Sequence, residues 1–194
     1  MAVDKAAVDK AMSDEPEAVG NGLDLLTRDH RLVDQLFLEL DRAAPQQLDP
    51  LARRLCKLLR VHTQIEEELF YPVARQALGE DAPIDHAEEE HAQAKRTLVR
   101  VESLSSEHAD FRSAIATLRD QVRQHVEEEE QQLFPRLRSG NMNLVALGVA
   151  LIERRATLLD VLGLHADDEE VAIVERTTAQ SAAQSDAGEG RVGG

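Results

Sequence analysis

The chain has no tryptophan, a single tyrosine and a single cysteine among its 194 residues. With aromatics at 3 %, a core must be filled largely by Leu, Val, Ile and Ala, which favours helix-on-helix packing. Cys56 alone cannot form an internal disulfide, a pattern that suits a reducing cytosol. Positive charge is also scarce: 22 Lys and Arg stand against 37 Asp and Glu, a net charge of −15. Such a surface is repelled by phosphate backbones and by anionic membranes, so neither nucleic acid nor membrane is an expected partner. The longest apolar run, Leu144 to Ile152, is too short to span a bilayer. The opening MAVDKAAVDKAMSDEPE has no apolar core of a secretory signal. No stretch keeps a period-2 alternation, so no sheet is expected.

What is present is helical periodicity. Residues 1–20 are small and charged and read as a flexible or partly helical arm. Residues 21–140 carry four helical patterns, from about Leu23 to Ala43, Pro50 to Leu78, Ile84 to Leu104 and Ala109 to Leu137. Short loops between them predict an all-α, up-down-up-down antiparallel four-helix bundle. Residues 141–165 predict an additional C-terminal helix that packs on the bundle or makes a homodimer contact. Residues 166–194, rich in Ala, Gly, Gln, Ser and acids, read as a disordered acidic tail with too little apolar surface to offset ordering entropy.

Within the bundle one motif occurs twice. His62 to Pro72 reads HTQIEEELFYP, and His125 to Pro135 reads HVEEEEQQLFP, aligned without a gap at an offset of 63 residues. Residues four apart on an α-helix project about 40° apart. His62 with Glu66, and His125 with Glu129, therefore form two histidine–carboxylate claws. Leu55, Leu58, Leu59, Leu69 and Val73 share the His62 face, and Leu118 and Val122 share the His125 face, so both claws are expected to point inward. Solvated acidic faces with chance histidines do not explain this register. His30 lies on the stripe of Leu23, Leu26, Val33 and Phe37, and His91 on that of Ile84, Ala94 and Leu98. Each half thus supplies one lone histidine and one claw, an internal duplication of a helical hairpin. Buried imidazoles and carboxylates need partners. Two metal ions sharing the two carboxylates would use all six donors, and imidazole with carboxylate suits iron, less exclusively manganese or zinc.

The set of His30, the His62–Glu66–Glu67 claw, Glu90–His91 and the His125–Glu129–Glu130 claw, with the LFYP and LFP endings, resembles the hemerythrin-like, or HHE cation-binding, family over roughly Asp24 to Leu137. The resemblance implies a non-haem di-iron site bridged by two carboxylates and an oxo or hydroxo group. It implies His30, His62, Glu66, His91, His125 and Glu129 as ligands. The oxygen-carrying members have a fifth histidine four residues before the third-helix ligand, where this chain has Ala87, and usually Asp where it has Glu129. The four-histidine pattern implies a small peroxide or diatomic ligand: catalase-like hydrogen peroxide decomposition, nitric oxide chemistry, or sensing of oxygen, nitric oxide or iron without turnover.

Several neighbours are weighed beside this set. His86 lies five residues before His91 and projects about 140° away from it, off the ligand face. Tyr71 lies about 180° from His62 on the wheel, which favours packing over a role at the site. Asp34 and Lys95, four residues after His30 and His91, are read as ion-pair partners ahead of groups orienting an imidazole. Glu67 and Glu130 either hydrogen-bond a ligand or face outward, and Glu127 and Glu128 are read as solvated. Cys56 is read as structural, and His108 and His165 as surface residues.

Overall fold

The computed structural model describes residues 21–164. The expected N-terminal arm, the acidic tail and His165 lie outside them. Asn21 caps α1 (Gly22–Arg42), its side chain accepting from the backbone N–H of Leu23 and Asp24. A long rod follows, made of α2 (Pro45–Ile65), a π turn (Glu66–Phe70) and α3 (Tyr71–Leu78). Gly79, at φ 69°, ends it in the left-handed conformation that glycine adopts without steric cost. After α4 (Ala82–Ser103) comes a second rod of the same plan: α5 (Phe111–Glu128), a π turn (Glu129–Leu133) and α6 (Phe134–Arg138). The last helix, α7 (Leu144–Val161), is capped by Asn143. The described residues contain no strand.

The helices depart from the sequence expectation at four prolines. α2 begins at Pro45 because the first helical position needs no N–H donor, and Pro50 is accommodated farther along the helix. Pro83 opens α4 rather than only closing the preceding rod. Pro72 and Pro135 do not simply kink their helices: each follows a π turn. A proline ring crowds the carbonyl four residues back, here Glu68 and Gln131, and both lie in the widened turns. The turns are closed by N–H groups of Tyr71 and Phe134 donating to the carbonyls of Glu66 and Glu129, five residues earlier.

Ion pairs record the antiparallel register. Along α1 against the second rod, Asp24 meets Arg138, Asp34 meets Arg123, and Asp41 meets Arg119. Between the first rod and α4, Arg60 meets Glu102, and Arg75 meets Asp85 and Glu88. The core between the rods is aliphatic, with Phe37, Phe70, Tyr71, Phe111 and Phe134 as its buried aromatics. Cys56 is buried within it, and burial raises its thiol pKa to about 12, so it acts as a small apolar side chain.

α7 packs across α1 and the first rod through Leu147, Leu151, Leu158 and Leu159. The approach is close at Gly22, where a Cβ would stand 2.7 Å from the Leu147 Cγ. Arg154 pairs with Glu68, and Arg155 with the buried Asp29. These contacts are packing of α7 on the bundle. This packing leaves Val145, Val149 and Ile152 exposed. No helix among the described residues is long and apolar enough to cross a membrane.

Candidate metal centre

The six donors picked out in the sequence are all buried, and they meet at the middle of the bundle. His62 Nε2 and Glu66 Oε2 are 3.2 Å apart across one claw, and His125 Nε2 and Glu129 Oε2 3.7 Å apart across the other. The carboxylates reach beyond their own claws. Glu66 Oε2 lies 3.3 Å from His91 Nε2 and its Oε1 4.0 Å from His30 Nε2. Glu129 Oε2 lies 3.6 Å from His30 Nε2. Donor atoms fall into two clusters able to hold an ion, His30–His62–Glu66 and Glu66–His91–His125, with Glu66 common to both.

This is an unstable set of neighbours without a cation. His30 Nε2, His62 Nε2, both Glu66 oxygens and Glu129 Oε2 are buried with no hydrogen-bond partner. Each such group costs roughly 1–3 kcal/mol if left unsatisfied. His91 Nε2 and His125 Nε2 face each other at 3.1 Å. The two carboxylates diverge in acidity. Burial acts to raise Glu66, but His62, His91 and His125 hold it well below the usual range. Burial and the charge of Glu66 push Glu129 well above it. Burial lowers His30 and His125, against their carboxylate partners. His91 feels the same burial, yet Glu66 and Glu67 raise it to about 8. Cations held in these clusters would give partners to His30 Nε2, His62 Nε2 and the Glu66 oxygens.

Outside the donors lies an ordered ring of carboxylates. Glu130 Oε1 accepts from His30 Nδ1 at 2.9 Å, and Glu67 Oε1 from His91 Nδ1 at 3.0 Å. Glu90 Oε2 accepts from His125 Nδ1 at 3.1 Å, and Asp29 Oδ2 faces His62 Nδ1 at 3.9 Å. Each Nδ1 is thus turned to a carboxylate and each Nε2 to the centre, the tautomer arrangement that metal-binding histidines need. Arg31 fixes Glu130, Lys95 fixes Glu67 and Arg155 fixes Asp29. Of the two readings open for Glu67 and Glu130, hydrogen bonding to an imidazole is the one found.

Tyr71 is not where the helical wheel put it. Its hydroxyl donates to Glu129 Oε1 at 3.1 Å and lies 3.1 Å from His91 Nε2. The π turn inserts about one residue into the helical phase, moving Tyr71 from about 180° to about 80° from His62. The same rotation turns Val73 outward, to 37 % exposure, and leaves Leu69 only partly buried. Burial and the nearby carboxylates raise the Tyr71 phenol well above its ordinary pKa, so it keeps its proton and acts as a hydrogen-bond donor here. The counterpart Phe134 stacks on His30, with ring centroids 6.0 Å apart.

The remaining neighbours stand apart. His86 is exposed and pairs with Glu128, which is therefore not simply solvated. Asp34 pairs with Arg123 on the surface. Ala87 is buried at the position one turn before His91. Beside the four imidazoles is a cavity of about 20 Å³, walled by Val33, Leu59, Leu98, Leu118 and Val122. That is room for about one water-sized molecule.

Fold and site together define a helical-bundle protein with a buried histidine–carboxylate cluster suited to a cation. The chain belongs to the hemerythrin HHE cation binding domain family, whose pattern matches residues 21–137. A crystal structure of a hemerythrin HHE cation binding domain-containing protein from Mycobacterium kansasii shares the fold. Its TM-score is 0.64 at 21 % identity, over 72 % of this chain and 87 % of that one. A protein of Nostoc sp. (strain PCC 7120 / SAG 25.82 / UTEX 2576) named DNA nickase is 32 % identical over 117 residues, 60 % of this chain. The match spans 33 % of that protein's length.

Proposed function

We propose that this chain is a di-iron protein whose ligands are His30, His62, Glu66, His91, His125 and Glu129, and that it decomposes hydrogen peroxide. The observation that carries the reading is the convergence of unpartnered donor atoms: two imidazole nitrogens and three carboxylate oxygens, buried and mutually repelling or mutually competing for protons. Glu66 and Glu129 would bridge, since each approaches histidines of both halves. When bound, two iron ions supply redox change and coordination positions for a small oxygen or nitrogen species. The protein's own contribution is to hold His30, His91 and His125 by their Nδ1 atoms, exclude water, and present the Tyr71 hydroxyl as a hydrogen-bond donor beside Glu129. The small apolar cavity supports a ligand no larger than peroxide or a diatomic.

Nitric oxide chemistry fits the same cavity. Sensing without turnover has one observation in its favour: Arg155 of α7 reaches the Asp29 that faces His62, so the surface helix touches the ring around the site. A homodimer through the exposed Val145, Val149 and Ile152 row, and residence in a reducing cytoplasm with Cys56 free, complete the reading. DNA nicking, named for the Nostoc relative, is not carried over: the match covers a third of that protein, and a net charge of −15 opposes a phosphate backbone.

The test is metal analysis of freshly purified protein, then peroxide addition in an oxygen electrode. Two irons per chain with oxygen release at half the peroxide consumed supports the enzyme. Two irons without turnover supports the binding or sensing reading. Failure to take up iron after anaerobic loading overturns both.

A further inference from the structure

One flank of the buried cluster carries donors that the centre does not use. Between α4 and α5, His86 Nε2 lies 3.0 Å from Glu128 Oε2 and 3.8 Å from Glu90 Oε1. Donor atoms of these three residues lie within 4.8 Å of one another. Glu90 has a second engagement: its Oε2 accepts from His125 Nδ1, on the far side of the ring from the centre. His86, Glu90 and Glu128 also line a cavity of about 190 Å³ that reaches Ala87 and Glu129. Glu129 is buried, and its Oε2 has no hydrogen-bond partner. The outer wall is thus an exposed histidine with two partly covered carboxylates, and the inner wall is Glu129, whose Oε1 accepts from Tyr71 and whose Oε2 has no hydrogen-bond partner. Arg136 also lines the cavity, but its guanidinium is engaged by Glu80.

The other half of the duplication lacks this arrangement. The offsets that map His30 onto His91 and His62 onto His125 map Leu25, Leu26, Asp29 and Ile65 onto His86, Ala87, Glu90 and Glu128. Leu26 and Ile65 are fully buried, and Asp29 is paired with Arg155 of α7. In the first half the position is apolar and covered; in the second it carries three ligand-type side chains and a small residue beneath them.

We propose that His86, Glu90 and Glu128 form a peripheral divalent-cation site at which metal docks before passing by way of Glu129 to the buried donors. The inference rests on the reading of those donors as a metal centre. One imidazole and two carboxylates suit Fe2+, Mn2+, Co2+ or Zn2+. Exposure keeps binding weak and reversible, as transfer requires. A net charge of −15 raises the local concentration of cations.

Co2+ titration of the metal-free protein, followed by visible absorption and calorimetry, tests this with the parent, His86→Ala and Glu128→Gln. Neither residue belongs to the buried centre. The parent is expected to bind two equivalents tightly and a third weakly. Both variants should lose the third, keep the first two, and fill them about tenfold more slowly at substoichiometric Co2+ in a stopped-flow experiment. Variants that retain the third equivalent overturn the site. Loss of the third with parental filling rates overturns the loading role. A weak equivalent that both variants lose, in proteins that never show the two tight ones, sinks the buried di-metal reading and leaves the peripheral site standing.

Discussion

The two halves of the bundle are built from one plan and have diverged in what surrounds it. In each, a lone histidine and a claw face the centre, a π turn precedes a proline, and an aromatic ring follows the turn. The carboxylates that face the Nδ1 atoms are placed alike. The residue before each lone histidine, Asp29 or Glu90, faces the claw histidine of its own half. The residue after each claw glutamate, Glu67 or Glu130, holds the lone histidine of the opposite half. Features shared by both copies are those any metal at the centre needs. The differences are confined to the surroundings: Tyr71 against Phe134, Arg155 on Asp29 against His86 near Glu90, and Leu26 against Ala87. An asymmetric environment around a symmetric donor set lets two chemically similar positions do different work.

The sharpest way to break the symmetry is at Glu66. It is the carboxylate common to both buried donor clusters, whereas Glu129 stands in neither. Glu66→Ala is expected to lower metal affinity by more than about 100-fold, beyond the roughly 10–100-fold loss typical of removing even an outer partner. Glu129→Ala should lower it less. Metal analysis of folded variants decides; parental metal in both proteins would remove the bridging assignment. Within the surrounding ring, Glu90→Gln should weaken one position selectively and Asp29→Asn the other.

Tyr71 and Phe134 give the next contrast. Tyr71→Phe deletes a buried hydroxyl that serves both Glu129 and His91, and should destabilise the metal-free protein by about 1–3 kcal/mol. Phe134→Tyr is expected to cost less than about 1 kcal/mol, because Phe134 already lies against His30, whose Nε2 lacks a partner for a new hydroxyl to supply. Chemical denaturation of both variants checks the pair. Equal losses would mean that the phenol is only packing.

The two lone histidines also differ in proton affinity. His91 is raised to about 8, whereas His30 and His125 are lowered. A raised folded-state pKa contributes stability that is present in full below the unfolded value, near 6.5, and is lost as pH rises through about 8. The raised Glu129 carboxyl acts in the same direction, since it holds a proton that the unfolded chain releases. The metal-free protein should therefore lose about 2 kcal/mol between pH 6.5 and 8.5. Metal must displace the His91 proton, so the loaded protein should bind metal more tightly over the same interval. Melting curves of both forms across that range should diverge. Parallel curves would mean that His91 does not exchange its proton for metal.

Much of this was legible in the sequence, and the parts that were not have identifiable causes. The four-helix plan and the inward direction of all six donors follow from apolar periodicity and the repeated spacing, because His62 and His125 lie before the π turns, where the helical phase is ordinary. Phase arguments failed only beyond Glu66, at Leu69, Tyr71 and Val73, because a straight wheel cannot register an inserted residue. Pro72 and Pro135 were the available signal: a proline within a helical pattern implies a kink or a looser turn, and here the widened turn precedes each one. Asp29 and Glu90 went unnoticed as imidazole partners although each precedes its histidine in register, a second in-phase acidic repeat. Glu128 was read as solvated because its partner, His86, comes from another helix, and pairing across helices has no periodicity to betray it.

The smallest contrast lies at Asp34 and Lys95, which occupy equivalent positions four residues after the lone histidines. Asp34 forms a surface pair with Arg123, while Lys95 holds Glu67, the partner of His91. In the first half the duty of Lys95 has passed to Arg31, which holds Glu130 beside His30. All these pairs are partly exposed, so Asp34→Ala and Lys95→Ala should each change stability by less than about 1 kcal/mol. They should separate on metal retention. Lys95→Ala frees Glu67 and loosens the orientation of His91, so it should release metal to a chelator severalfold faster than the parent, whereas Asp34→Ala should match the parent. Equal release rates from the two variants would show that Glu67 keeps its place on His91 without the lysine.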